Sequence, residues 1–159
     1  MRAGVGFDVH PLASGRRLIL GGIDIPFAKG LDGWSDADVL THAIIDALLG
    51  AAALGDIGSH FPPGDPQYKD ISSITLLKKV RDMLKDNGWY VGNIDAVVVA
   101  EQPKLADYRG KICSELAKAL NIPSGKVNVK ASTSEELGFV GREEGVASWA
   151  TVLLERESE

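Results

Sequence analysis

The sequence predicts an α+β fold, an α/β arrangement of two layers in which two or three helices pack on one face of a mixed sheet. Hydrophobic periodicity in the second half of the chain alternates helix, strand, helix, strand and strand. The strand segment "AVVVA" is too continuously apolar to face water and therefore needs helices over it. A length of 159 residues suits one hydrophobic core, which predicts a single domain over residues 1–159.

The N-terminal segment predicts short strands separated by turn residues. Residues 3–9 and 16–22 are apolar and extended in pattern, and "ASG" between them has turn chemistry, so we expect them to pair as a hairpin. Residues 23–30 predict a further short extended segment, ended by Pro26 and Gly30.

Residues 35–54 predict the clearest helix. Ser35 is the expected N-cap, with Asp38 as its capping-box partner. An apolar stripe at helical spacing is made of Leu40, Ile44, Ala47, Leu48 and Ala51. The glycine- and proline-rich segment 55–70 predicts a long loop, which is uncommon in a small domain unless the loop is functional.

The remaining elements follow from periodicity and from their end signals. Helices are expected at 71–88, with Gly88 as the C′ residue, and at 105–121, ended before Pro123. Residues 135–145 predict a loop or a single helical turn. Strands rich in β-branched residues are expected at 89–102, 126–133 and 146–156.

Composition limits the classes of function. Hydrophobic residues make up 45% of the chain and charged residues 25%, as in ordinary globular proteins. A net charge of -5 argues against coating a nucleic acid, and no apolar run is long enough to span a membrane. Cys113 is the only cysteine and the N-terminus has no signal-peptide pattern, so we expect a bacterial cytoplasmic protein, or a plastid protein whose transit peptide has been removed.

Asp8, His10 and His42 form the first candidate site. Residues two apart on a strand point the same way, so Asp8 and His10 share one face of the first strand. A carboxylate and two imidazoles are the ligand set of a catalytic zinc with an open position. The pattern alone also allows a hydrogen-bonded core histidine and an unrelated capping aspartate.

Two further segments follow strands at their carboxyl ends, where open sheets bind ligands. Residues 100–108 offer free backbone groups for a base edge, and Thr133, Ser134 and Glu135 offer oxygens. Glu135 is a candidate Mg²⁺ ligand, although Ser, Thr and Glu are also common at helix starts. Arg142 is able to clamp a diphosphate or to pair with a neighbouring glutamate.

Taken together and in order, these motifs resemble the 2-C-methyl-D-erythritol 2,4-cyclodiphosphate synthase family. The resemblance runs from the first strand to the last, with essentially no insertions. The segments that carry it are "GFDVH", "SDADVLTHAIIDALLGAAALGDIG", "FPPGDP", "KVNVKASTSEELGF" and "GREEG".

The resemblance implies a reaction and an assembly. Members of the family convert 4-diphosphocytidyl-2-C-methyl-D-erythritol 2-phosphate into a cyclic diphosphate and CMP, in non-mevalonate isoprenoid biosynthesis. The 2-phosphate of the substrate attacks its own β-phosphorus. The implied assembly is a homotrimer with sites at the subunit interfaces, a cytidine diphosphate substrate as small-molecule partner, and in some members an isoprenoid diphosphate in the central cavity.

The resemblance also assigns site residues. It implies Zn²⁺ on Asp8, His10 and His42, a second ion, Mg²⁺ or Mn²⁺, on Glu135, and a contact of Thr133 with the phosphates, so Thr133 and Glu135 are the expected catalytic residues. The implied substrate-binding residues are Ser35, Asp56, Ile57, Gly58, Phe61, Asp65, Ala100, Pro103, Lys104, Leu105, Ala106, Ala131, Ser132, Thr133, Ser134, Phe139 and Arg142.

Three positions depart from the family pattern. Trp34 stands where a histidine is usual, Pro63 stands where the family often has an acid, and Ser132 replaces a common threonine. Indole is only a donor and cannot replace an imidazole proton for proton. Two alternatives to the enzyme therefore stay open, both trimeric: a non-catalytic module that binds zinc and a cytidine nucleotide, with Trp34 impairing activity, and a scaffold with a vestigial site.

Overall fold

A computed structural model describes residues 1–156 as a mixed sheet with helices on one face. The strands are β1 (Arg2–Ser14), β2 (Leu18–Leu20), β3 (Ile23–Ile25), β4 (Lys29–Leu31), β5 (Tyr90–Val99), β6 (Val127–Ser132) and β7 (Gly145–Glu155). The α-helices are α1 (Val39–Ala52), α2 (Ile57–His60), α3 (Ser73–Asp86), α4 (Arg109–Leu120) and α5 (Gly138–Gly141). None of the helices in these described residues is both long and apolar enough to cross a bilayer.

The main sheet has the order β4–β1–β7–β5–β6. The β5–β6 pair is parallel, and the other neighbours are antiparallel, so the sheet is mixed as the sequence predicts. Helices α1, α3 and α4 cover one face and bury the core, which includes Ile44, Leu48, Leu77 and Ile112. The predicted α+β class is therefore confirmed.

The predicted hairpin between residues 3–9 and 16–22 is wrong. Strand β1 pairs with β7 and, at its end, with β4. Strand β2 instead pairs with β3 in a separate two-stranded sheet. All three residues of β2 are buried, and packing of this apolar segment overrides the local turn signal.

The expected N-cap of the first helix is also wrong. Helix α1 begins at Val39, and its N-cap is Asp38 rather than Ser35. The Asp38 carboxylate is fully buried and accepts four hydrogen bonds, from the N–H groups of Gly21, Gly22 and Thr41 and from the Thr41 hydroxyl. Burial, followed by the nearby charge of Asp36, raises the pKa of Asp38. The predicted apolar stripe of α1 is buried, as expected.

The segment 55–70 is less irregular than predicted. It contains the one-turn helix α2 and a 3₁₀ turn at Pro66–Tyr68. Asp56 caps α2 by accepting the Ser59 N–H, and Asp65 caps the 3₁₀ turn by accepting the Gln67 N–H. These caps explain how a glycine- and proline-rich segment is ordered without strands.

Alternation along β1 gives the strand two different faces. A side chain at Gly4 or Gly6 would point at α1, where its Cβ would meet the carbonyl oxygen of Ala47 or Ala43. Positions 8 and 10 follow on the same face. Val5, Phe7 and Val9 lie on the opposite face and are exposed.

Candidate metal centre and adjoining clefts

Strand β1 and helix α1 bring three ligand-capable side chains to one point. The Asp8 Oδ2 atom lies 2.8 Å from His10 Nε2 and 3.0 Å from His42 Nδ1. The two histidine nitrogens are 3.2 Å apart. Within the described residues this is the one cluster of three or more His, Cys, Asp or Glu ligands. The structure thus brings together the three side chains that the sequence selects.

The spacing of these atoms fits a small tetrahedral ion. Zinc–nitrogen bonds of about 2.0–2.1 Å in tetrahedral geometry separate neighbouring ligand atoms by about 3.3 Å, close to the three distances in the cluster. Asp8 is partly exposed, and the residues of an open cleft adjoin the cluster. A carboxylate and two imidazoles facing such an opening have the chemistry of a zinc site with a free coordination position.

The backbone fixes the orientation of the His10 ring. Its Nδ1 atom lies 2.9 Å from the Asp32 carbonyl oxygen. Because a carbonyl only accepts, Nδ1 carries the proton, and the lone pair of the neutral ring is on Nε2, facing Asp8 and His42. Gly33 leaves room for this ring, since a Cβ there would lie 2.9 Å from His10 Cε1.

Charges in the cluster shift two pKa values. Burial alone would raise the pKa of Asp8, but the contacts with the His10 and His42 rings, which donate to this carboxylate only in their protonated form, outweigh burial and lower this pKa to about 2. Burial tends to lower the pKa of His10, and the adjacent Asp8 carboxylate more than offsets this, so the pKa is raised. The carboxylate is therefore held ionised, as a metal ligand must be.

A cleft of about 230 Å³ adjoins the three ligands. Of the predicted substrate-binding residues, it is lined by Ser35, Ile57, Gly58 and Phe61. Asp56 and Asp65 are not among its lining residues, and their carboxylates are used as caps. Sequence reasoning missed Tyr68 and Leu76, which also line the cleft. Leu76 is one of several apolar residues of α3, so its pattern does not distinguish it from the core.

Trp34 lies at this cleft and contacts the loop that follows α2. Its indole N–H donates to the Asp65 carbonyl oxygen at 2.9 Å, and its side chain remains 38% exposed. The N–H is therefore already engaged by the protein. Pro63 also lines the cleft, so two of the departures from the family pattern meet at one place.

A second cleft, of about 340 Å³, lies at the carboxyl ends of β5 and β6. Eight residues expected to bind the substrate line it: Ala100, Pro103, Lys104, Leu105, Ala106, Ala131, Ser132 and Thr133. The sequence interpretation missed Arg109, the first residue of α4, which lines the same cleft. The two clefts have no lining residue in common.

The turn after β6 is held by Glu101. One oxygen of its carboxylate accepts the N–H and the hydroxyl of Ser134, both at 2.8 Å. Glu135 and Glu136 then adopt left-handed conformations, with φ of 53° and 62°. Glu135 is exposed and accepts a hydrogen bond from the Thr133 hydroxyl at 3.0 Å. This arrangement presents the Glu135 carboxylate beside Thr133, at the rim of the second cleft.

Phe139 lies within helix α5, and Arg142 is the C-cap residue that follows it. Phe139 is 41% exposed. The Arg142 guanidinium makes two hydrogen bonds to the Glu144 carboxylate, at 2.9 and 3.1 Å. The sequence allowed Arg142 either to clamp a diphosphate or to pair with a neighbouring glutamate, and the structure contains the pairing with Glu144.

The fold and the cleft define the class as an α+β protein whose candidate metal centre opens on one side. Residues 1–155 match the model of the YgbB family, and the chain belongs to that family. A relative from Dehalococcoides mccartyi (strain CBDB1), named 2-C-methyl-D-erythritol 2,4-cyclodiphosphate synthase, is 59% identical over 99% of this chain and 100% of its own length. A relative of the same name from Geotalea daltonii is 55% identical over 100% of this chain and 93% of its own length.

Solved structures agree with this assignment. The Plasmodium falciparum IspF–CDP complex is 31% identical, with a TM-score of 0.87 over 99% of this chain and 97% of its own. A 2C-methyl-D-erythritol-2,4-cyclodiphosphate synthase in its CDP-bound form is 34% identical, with a TM-score of 0.89 over 97% of this chain and 100% of its own. The bifunctional IspDF of Campylobacter jejuni is 43% identical, with a TM-score of 0.94 over 98% of this chain but only 42% of that protein.

Proposed function

We propose that the chain is a 2-C-methyl-D-erythritol 2,4-cyclodiphosphate synthase. It converts 4-diphosphocytidyl-2-C-methyl-D-erythritol 2-phosphate into the cyclic diphosphate and CMP. The observation that carries this proposal is the convergence of Asp8, His10 and His42 beside a cleft, in a chain that matches synthases over nearly its whole length. Both relatives and the CDP-bound synthase structure described above bear the name of that enzyme, which favours turnover over the non-catalytic alternative.

The reaction needs no nucleophile from the protein. An oxygen of the 2-phosphate forms the new bond to the β-phosphorus, the bond from that phosphorus to the oxygen bridging to the α-phosphorus breaks, and CMP leaves with that oxygen. Both reacting groups are anionic, so the main barriers are charge repulsion and alignment. Asp8, His10 and His42 would hold a zinc ion, which supplies Lewis-acid polarisation of a phosphate oxygen when bound.

The remaining groups bind and orient the substrate. The segments around Ala100 and Ala131 line the second cleft, where we place the cytosine base, and Lys104 and Arg109 add positive charge there. The Ser35 hydroxyl, in the first cleft, is available to a phosphate oxygen. We propose that Glu135, beside Thr133, holds a Mg²⁺ or Mn²⁺ ion against the α- and β-phosphates, because these ions prefer oxygen ligands.

We also propose that the chain acts as a homotrimer. The face of the sheet opposite the helices exposes Val5, Phe7, Val9 and Trp149, and the rings of Phe7 and Trp149 pack with centroids 4.7 Å apart. An apolar patch of this kind usually marks an interface. The cleft beside the metal ligands and the second cleft share no lining residue. In a trimer, the second cleft of one subunit would complete the cleft beside the metal ligands of its neighbour. Phe139, exposed next to this face, is then the candidate contact for an isoprenoid diphosphate in the central cavity.

The test is CMP release by the purified, zinc-loaded protein, with the cyclic product identified by ³¹P NMR. His42→Ala is expected to lose both zinc and turnover, because it removes one of three ligands. His60→Ala is the matched control, since His60 lies outside the cluster and contacts the Leu54 carbonyl oxygen. If His42→Ala kept its zinc, the ligand assignment would be wrong. A native protein that released no CMP while a Trp34→His variant did would support the non-catalytic alternative.

A further inference from the structure

Behind His42, on the side away from Asp8, lies a buried serine. Ser73 is the first residue of α3 and is fully buried. Its hydroxyl oxygen lies 2.8 Å from His42 Nε2. Asp36, in the loop before α1, receives both donors of Ser73: its carboxylate accepts the Ser73 N–H at 2.9 Å and also the Ser73 hydroxyl. The three side chains form a continuous chain of hydrogen bonds, from Asp36 through Ser73 to His42.

The direction of these hydrogen bonds follows from their chemistry. An ionised carboxylate only accepts, so the Ser73 hydroxyl donates its proton to Asp36. The same oxygen must then accept from His42, which puts the ring proton on Nε2. The lone pair of a neutral His42 therefore lies on Nδ1, the atom that faces Asp8 and His10. This is the tautomer that a metal ion bound at Nδ1 requires.

Ser35 is a weaker partner for the same nitrogen. Its hydroxyl oxygen is 3.2 Å from His42 Nε2 and also accepts the Ala37 N–H at 3.2 Å. The partner of Ser73, Asp36, is held in place by its backbone, because the Asp36 N–H donates to the Ile71 carbonyl oxygen at 3.0 Å. The shorter contact to Ser73, with its proton already committed to Asp36, is therefore the one that orients the ring.

We propose that Ser73 and Asp36 are positioning residues for the metal centre: they fix the tautomer and the ring plane of His42 so that Nδ1 faces the ion. Neither residue is within the cluster of metal ligands. The inference rests on the metal site of the proposed function, but not on the reaction. Polar partners of this kind typically change metal affinity 10- to 100-fold when they are removed.

Zinc affinity, measured by competition with a chromogenic chelator on the full chain, tests this directly. Ser73→Ala is expected to weaken zinc binding about 10- to 100-fold. Saturating zinc should restore much of its turnover. Ser72→Ala is the matched control, because Ser72 is the adjacent, exposed serine and its side chain makes no capping hydrogen bond. It should bind zinc like the native protein.

A second variant separates positioning from folding. Asp36→Asn keeps the size of the side chain but leaves one acceptor oxygen for two Ser73 donors, so a smaller loss of zinc affinity is expected. Thermal unfolding of the metal-free proteins shows which variants are folded. If Ser73→Ala does not fold, the zinc affinity of Asp36→Asn tests the positioning role. Native-like zinc affinity in the folded variants would overturn the positioning role alone. A native protein that bound no zinc would overturn the metal site as well.

Discussion

Replacing Gly6 by alanine tests whether the close contact between β1 and α1 sets the geometry of the metal centre. A Cβ at this position would lie 1.9 Å from the Ala43 carbonyl oxygen and 2.6 Å from the Ala47 nitrogen. Both are backbone atoms of a helix and cannot rotate away. Ordinary contact requires about 3.5 Å, so the strand and the helix must separate by roughly 1.5 Å, or the strand must tilt.

Such a movement affects stability and metal binding together. Overpacking a well-packed core costs about 1–3 kcal/mol. Asp8 and His10 move with β1 while His42 stays with α1, and their present separations from His42 Nδ1 are 3.0 and 3.2 Å. Metal sites tolerate deviations of only about 0.2 Å in their ligand distances. We therefore expect Gly6→Ala to lower both the free energy of unfolding and the zinc affinity.

Urea unfolding of the metal-free protein at one fixed protein concentration measures the first effect, and chelator competition measures the second. Gly50→Ala is the control. Gly50 is exposed within α1 and a Cβ there meets nothing within 4 Å, so this change should stabilise the protein by about 0.5–1 kcal/mol. If Gly6→Ala unfolded at the native urea concentration and bound zinc normally, the close approach would not control the site.

Three further predictions concern the cleft, the exposed face and the turn after β6. Trp34→Phe removes the hydrogen bond to the Asp65 carbonyl and should raise KM about 2- to 10-fold without changing zinc content; an unchanged KM would argue against this contact. Trp149→Lys should shift the proposed trimer to monomers in analytical ultracentrifugation, and a persistent trimer would exclude this face as the interface. Ser134→Ala should raise the lowered pKa of Glu101 toward 4.5, as followed by carboxyl NMR.

The sign of the last effect can be worked out for stability. The hydroxyl and N–H of Ser134 lower the pKa of Glu101 in the folded state. Its contribution to stability is therefore complete above the ordinary value of 4.5 and is lost as the pH falls through the lowered value. Ser134→Ala should reduce this pH dependence below pH 4.5, and an unchanged acid profile would show that the contact does not affect stability.

The sequence predicts the features that depend on hydrophobic period and on composition, such as which side chains share a face. It does not predict features that depend on contacts between segments far apart in the chain. Asp8 and His10 share a face because a strand has a period of two, and this expectation is confirmed. Ser35 and Asp38 are both good N-caps locally. Asp38 is the cap because Gly21 and Gly22, far away in the chain, also donate to its carboxylate. A pattern within a single segment contains no information about those donors.

The pairing of the first strand was predicted wrongly for a related reason. The segments 3–9 and 16–22 both predict strands, and nearness in sequence favours pairing them. In the structure, Gly4 and Gly6 allow β1 to lie directly against α1, with β7 as its neighbour. The alternation Gly4, Gly6, Asp8, His10 on one face is visible in the sequence. Two small residues followed by two ligands on one face would have indicated which face meets the helix that carries His42.

The same alternation accounts for the register of β1. A slip by one residue would exchange the two faces of the strand. Val5 would then be forced against the backbone of α1, where even a single Cβ lies too close to the Ala43 carbonyl oxygen. Asp8 and His10 would turn away from His42. The close approach at Gly6 therefore excludes the slipped register, sets the distance between the ligands, and leaves Val5, Phe7 and Val9 outward, on the face that we propose forms the trimer.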